Sequence, residues 1–188
     1  MNKTSVFGYV ARITVTLLLI ATVVAAALAL VNKVTKPIID KANAEKTQQA
    51  IQLVLPGGYK EELTDFPNDS GLVSKVYKGE NGYAVEVTPA GFDNTITLMV
   101  GVDFDGKVLG ISVISHTESA GLGAVAADKG SKGEAFRDQF IGQSGSVSVS
   151  KDGGSIDAIT NATITSRAVC DGVNAALACV AVLEGGAA

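Results

Sequence analysis

Histidine is nearly absent from this chain: His116 is the only one, and the two cysteines, Cys170 and Cys179, stand without a CxxC pair or a Cys/His cluster. A zinc, haem or iron–sulfur centre built by the chain alone therefore lacks its donor set, and any redox centre has to come from elsewhere. The cysteines do not bridge each other either. They lie nine residues apart in a segment that reads as helix, which sets them on opposite faces and about 13 Å apart along the axis. An excess of Lys and Arg is also missing: 15 of them stand against 19 Asp and Glu, a net charge of −4. That argues against nucleic acid, whose phosphate backbone rewards clustered positive charge. With 188 residues there is room for one membrane anchor and one compact domain of roughly 130–150 residues, and not for two large domains.

What the chain does have is one long apolar run. Residues 13–31, ITVTLLLIATVVAAALALV, contain no charge, and nineteen residues of helix match the thickness of a hydrocarbon core. The expected organisation is a short N-terminal flank (1–12), a transmembrane helix (13–31), a juxtamembrane helix and linker (32–58) and a folded domain (59–188). A buried core helix and the apolar region of a cleaved signal peptide are the competing readings. Lys3 and Arg12 precede the run, and Ala27 and Ala29 would suit a peptidase. The run is longer than a usual signal core, however, and Asn32 and Lys33 follow it directly. Charge alone leaves the orientation open, since Lys3 and Arg12 on one side face Lys33, Lys36 and Lys41 on the other.

Beyond the anchor, Pro37 fits the first turn of a helix that Pro56-Gly57-Gly58 would end. Four short β-branched runs follow, LVSKVYK, YAVEVT, TITLMVGV and VLGISVIS, separated by turn signals at Glu80-Asn81-Gly82 and Asp105-Gly106. They predict an antiparallel sheet of about four strands, with Asp105-Gly106 supplying positive dihedrals to its clearest hairpin. KGEAFRDQFIG reads as a short helix with Phe136 and Phe140 as its buried stripe, and Lys151-Asp152-Gly153-Gly154 as a turn. The last helix, SRAVCDGVNAALACVAVLE, carries Val169, Val173, Leu177 and Val180 on one face, with Ser166 as its expected N-cap. The fold class is α+β: an N-terminal transmembrane helix, then one domain of antiparallel sheet plus helices.

Two segments hold candidate chemistry. In Asp157-Ala158-Ile159-Thr160-Asn161-Ala162-Thr163-Ile164-Thr165-Ser166, small and hydroxyl residues crowd the approach to a helix N-terminus. Unpaired N–H groups and the positive end of the helix dipole suit a phosphate there without Lys or Arg; on pattern alone, a Thr-rich strand ending in an N-cap fits as well. In His116-Thr117-Glu118-Ser119-Ala120-Gly121-Leu122-Gly123, the glycines would let backbone approach a planar ring. Leu122 would cover its apolar face, and Glu118 would meet a polar edge or a neighbouring backbone amide. The letters GLGAVA also match a dinucleotide fingerprint, but the required parallel βαβ context is missing. His116 and Glu118 as an acid–base pair lack an orienting third group and a nucleophile motif, so no catalytic residue and no metal ligand is assigned.

The first segment resembles the flavinylation motif of the FMN-binding domain family, roughly Asp-x-x-Ser/Thr-Gly-Ala-Thr, at Asp157, Thr160, Ala162 and Thr163, with Asn161 in place of the usual glycine. Asparagine is among the residues that best tolerate left-handed backbone. The second segment resembles the family's His-x-Glu-Thr-Pro-Gly-Leu-Gly signature, with Ser119 and Ala120 replacing Thr-Pro. Within the family the chain is most similar to G subunits of Rnf-type ion-translocating ferredoxin:NAD oxidoreductases, and is related to C subunits of sodium-translocating NADH:quinone reductases. The resemblance implies FMN bound covalently through a phosphoester to Thr163, attached by a flavin transferase that uses FAD and recognises Asp157, Thr160, Ala162 and Thr163. It implies a cofactor site of Thr160, Asn161, Ala162, Thr163, Thr165, Ser166, Glu118, Gly121, Leu122 and Gly123. Its partners would be the other membrane subunits of the complex and the lipid bilayer. The location it implies is the bacterial cytoplasmic membrane, single-pass, with the domain on the extracytoplasmic side. Reversible FMN binding and a non-redox membrane-tethered scaffold are the alternatives.

Overall fold

The computed structural model describes residues 3–185. The chain divides into two compact units, residues 1–45 and 46–188. The first is helical, the N-terminal part of α1 (Lys3–Val54). All of residues 13–31 are exposed. A helix this apolar with no buried face has lipid as its natural surrounding. Pro37 opens no second helix: it lies inside α1, which continues to Val54. Proline removes one backbone hydrogen bond and crowds the preceding turn, and here the helical residues on both sides outweigh that local cost. Pro56-Gly57-Gly58 does end the helix, with Gly57 and Gly58 at φ +101° and +72°.

The second unit is built on a five-stranded antiparallel meander in the order β1-β2-β3-β4-β5: β1 (Tyr59–Leu63), β2 (Val73–Gly79), β3 (Gly82–Val87), β4 (Thr97–Asp103) and β5 (Val108–Ser115). The four expected strands are present, and β1 is an addition. Its sequence, YKEEL, is mostly charged and exposed, so no alternation announces it; it is an edge strand held by pairing with β2 alone. In the β4–β5 hairpin only Gly106 has positive φ (+76°). The turn is closed by the Gly106 N–H to the Asp103 carbonyl (3.2 Å), and the Asp103 carboxylate accepts the Lys107 N–H (2.7 Å). This is a turn followed by a left-handed glycine, rather than a two-residue turn with both dihedrals positive.

Both faces of the sheet are covered, which is why β3 and β4 are buried along almost their whole length. On one face Val76, Val85, Val87, Leu98, Val100 and Val102 join a core with α2 (Ser131–Asp138) and α3 (Thr163–Leu183). Phe136 and Phe140 meet edge to face there, 5.4 Å between ring centroids. On the other face Ala50, Ile51, Val54 and Leu55 pack on Tyr77, Ala84 and Met99. Gly101 makes that approach feasible: a Cβ on it would collide with the Val54 carbonyl. The last turns of α1 are thus part of the folded domain, which begins near residue 46 instead of at the sequence-based boundary of 59.

Helix α3 is long and apolar enough to cross a membrane, but most of it is buried within the domain. Cys170 and Cys179 on this helix are free and buried. Burial pushes the Cys170 thiol up to about 12 and the Cys179 thiol to about 11.

Two outcomes follow for the isolated unit of residues 46–188. Leu55→Ala should cost about 2–5 kcal/mol in urea unfolding, as for other fully buried leucines. Because only the thiolate reacts, both cysteines should resist a thiol reagent at about pH 8 while the protein is folded. They should label promptly once urea exposes them and restores ordinary thiol acidity.

Candidate functional site

Three loops and the start of α3 converge on a cleft of about 360 Å³ lined by Phe92, Glu118, Ser119, Leu122, Gly123, Lys151 and residues 161–165. That volume is in the range of small-molecule sites. Its floor is organised by Glu118, which is 7% exposed. One carboxylate oxygen accepts the Phe92 N–H at 2.7 Å and the Asp93 N–H at 3.3 Å. The other accepts the Thr165 hydroxyl at 2.5 Å. The neighbouring backbone amides expected as partners of Glu118 are those of Phe92 and Asp93. Gly123 serves the same clamp, since a Cβ there would overlap both the Glu118 carboxylate and the Thr165 hydroxyl. Its lack of a side chain is thus required by the protein's own packing, whatever else approaches it.

The start of α3 forms one wall. The Ala162 N–H bonds to the Ile159 carbonyl (2.9 Å), closing a turn in which Asn161 has φ +61°. Among the described residues Asn161 is the only non-glycine with positive φ, so it occupies in this chain the left-handed geometry that explains a glycine in the family pattern. The helix starts at Thr163, four residues before the start that an N-cap at Ser166 implies. Ala162 holds the N-cap position without a side-chain cap, so the first-turn N–H groups are left for an incoming acceptor. Ser166 is not the N-cap. It lies fully buried within the first turn, where its hydroxyl accepts the Ile159 N–H (3.0 Å) and donates to the Ala162 carbonyl (3.0 Å). It braces the turn from behind the cleft.

Of the expected site residues, Thr163, Asn161, Ala162, Thr165, Glu118, Leu122 and Gly123 come together around the cleft. Thr160 and Asp157 are exposed and do not line it, with the Asp157 backbone held by Gln139. Gly121 lies in a neighbouring hollow with His116. Ala162 is buried, so its side chain serves packing more than recognition from outside.

Sequence reasoning missed Phe92, Ile164 and Lys151. Phe92 and Ile164 are 68% and 50% exposed and, with Leu122, give the cleft an apolar lip. The Lys151 ammonium donates to the Thr163 hydroxyl at 3.2 Å. Lys151 read only as part of a turn; the Lys-Asp-Gly-Gly turn signal was the clue that the chain reverses there and returns toward the helix start. Next to it, Asp152 pairs with Arg167 through two bonds of 2.7 and 2.6 Å, and this pairing holds the Asp152 carboxyl below its ordinary range.

The combination of hydroxyl, uncapped helix end and ammonium suits a phosphate, and the apolar lip suits the face of a ring. The residues present therefore fit FMN. Because Glu118 accepts from three donors, Glu118→Leu leaves the Phe92 and Asp93 N–H groups and the Thr165 hydroxyl without their acceptor. The substitution should cost about 1.5–3 kcal/mol in denaturant unfolding; a loss below about 0.5 kcal/mol would count against the clamp.

Comparison with known proteins agrees with this geometry. Residues 91–178, which include the Glu118 clamp and the Thr163 turn, match the FMN-binding domain family. Over 187 residues the chain is 32% identical to the G subunit of the ion-translocating oxidoreductase complex of Methanosarcina acetivorans, covering 94% of this chain and 97% of that protein. It is 33% identical over 182 residues to the G subunit of the Na(+)-translocating ferredoxin:NAD(+) oxidoreductase complex of Acetobacterium woodii (84% and 85% covered). It is 29% identical over 188 residues to the G subunit of the proton-translocating ferredoxin:NAD(+) oxidoreductase complex of Clostridium ljungdahlii (98% and 97%). Similarity that runs from end to end, through the apolar helix as well as the cleft, makes this chain a member of the G-subunit family of ion-translocating oxidoreductase complexes, with that family's FMN-binding domain.

Proposed function

We propose that the chain is a membrane-anchored electron-transfer subunit of a ferredoxin:NAD oxidoreductase complex, carrying FMN joined by a phosphoester to Thr163. The observation that carries this reading is the position of Thr163, first residue of an uncapped helix, on the wall of the cleft and in contact with an ammonium group. FMN supplies the redox chemistry when bound. The chain's own residues do the rest. The α3 N-terminus and Lys151 balance the phosphate charge, Phe92, Leu122 and Ile164 flank the ring, and Glu118 keeps the loops beneath it in register. No residue is assigned to substrate turnover. The cleft is an electron station, and a covalent link keeps the flavin beside its fixed partners at high effective concentration.

Residues 13–31 cross the membrane once in this reading, with the domain outside the cytoplasm, as the family resemblance implies. The span holds no charged residue, so the ion path belongs to other subunits. The ion itself is not chosen by similarity, because relatives of near-equal identity are named for sodium and for protons. A flavin transferase acts during maturation, and Asp157 and Thr160, both exposed, are the motif residues it would reach on the folded domain.

After co-expression with a flavin transferase, wild type should fluoresce on an illuminated denaturing gel and Thr163→Val should be dark. Fluorescence retained in the variant would move the attachment elsewhere. A dark wild type would favour reversible FMN, which denaturation releases, or a scaffold, and would make Asn161→Gly the next variant to flavinylate.

A further inference from the structure

Lys151 is the only cation among the described residues that line the cleft. Its loop is fixed rather than free. A 3-10 turn at Ser150–Asp152 is closed by the Asp152 N–H to the Val149 carbonyl (2.8 Å) and tied across by the Ser150 N–H to the Ile156 carbonyl (2.7 Å). Two consecutive loop residues then grip two residues one turn apart on the same face of α3: Lys151 bonds Thr163, and Asp152 bonds Arg167 at both carboxylate oxygens. The Arg167 charge is engaged by Asp152, and Glu118, the acid in the cleft, has both oxygens occupied by Thr165, Phe92 and Asp93. Lys151 alone points a positive charge at the Thr163 hydroxyl.

We propose that Lys151 is a positioning residue for phosphoryl attachment at Thr163, and afterwards the ionic partner of the phosphodiester. The inference rests on Thr163 being the attachment point. In the step, the Thr163 hydroxyl oxygen bonds to the flavin-side phosphorus of FAD and the pyrophosphate P–O bond to AMP breaks. AMP leaves, and the hydroxyl proton passes to a base of the transferase. An ammonium group has donors and no acceptor, so Lys151 holds Thr163 through the oxygen lone pair and leaves the hydroxyl proton to be removed. As the phosphoryl group enters, the same ammonium and the first-turn N–H groups of α3 meet its non-bridging oxygens. The product keeps one negative charge within reach of Lys151.

The test compares initial rates of flavinylation by a flavin transferase with FAD, read as gel fluorescence, for full-length wild type, Lys151→Met, Lys151→Arg and Thr163→Val. Methionine keeps the apolar stem and removes the charge; arginine keeps the charge. Lys151→Met is expected to slow attachment about ten- to a hundredfold, Lys151→Arg to retain most of the rate, and thermal melts to superimpose because Lys151 is exposed. Salt at about 0.5 M should slow wild type and leave Lys151→Met nearly unchanged. Lys151→Met at the wild-type rate with Thr163→Val dark would overturn this inference alone. Equal losses in Lys151→Met and Lys151→Arg would also overturn it, by assigning the effect to packing. Fluorescent Thr163→Val would overturn the attachment reading and this inference with it.

Discussion

The cleft depends on one buried carboxylate. Glu118 joins the loop at Phe92 and Asp93, its own loop and the first turn of α3 at Thr165, segments separated by 26 and 47 residues along the chain. A buried carboxylate is costly unless its oxygens are satisfied, and three donors satisfy this one. The same bonds that offset its desolvation hold the cleft open in one shape. The glycine at position 123 belongs to this constraint, because any side chain there would push into the carboxylate and the Thr165 hydroxyl.

Around that clamp the fold separates two tasks. The sheet, covered by α3 and α2 on one face and by residues 50–55 on the other, supplies the apolar core. The helix end that emerges from this core carries the polar work: an uncapped first turn, a hydroxyl at its first residue and a lysine delivered from a neighbouring loop. Placing the phosphate-like subsite at the end of a long, buried helix keeps its geometry rigid, since α3 cannot shift without disturbing the core.

A site of this kind suits a relay. It offers a polar end for a phosphate and an exposed apolar lip formed by Phe92, Leu122 and Ile164. An edge left open in this way is compatible with electron exchange between proteins, whereas an enclosed pocket would isolate the cofactor from them.

The sequence by itself determined the elements whose signals are local. The uncharged run at 13–31 announced a long apolar helix. β-branched runs and turn residues announced four strands, and the Thr163 and Glu118 motifs announced two segments that line one cleft. It failed where the signal is not local. Edge strand β1 has no alternation because pairing alone holds it; Pro37 was outweighed by the helix on both sides of it; and Ser166 read as a cap because the left-handed turn at Asn161, which starts the helix earlier, leaves no mark in apolar periodicity. Tertiary structure alone decided that residues 46–55 complete the domain, that Glu118 bonds to backbone amides, and that Lys151 meets Thr163 twelve residues away. The reason is common to all three: each is a contact between segments whose partner choice depends on burial and close packing across the fold, and no spacing within one segment encodes it.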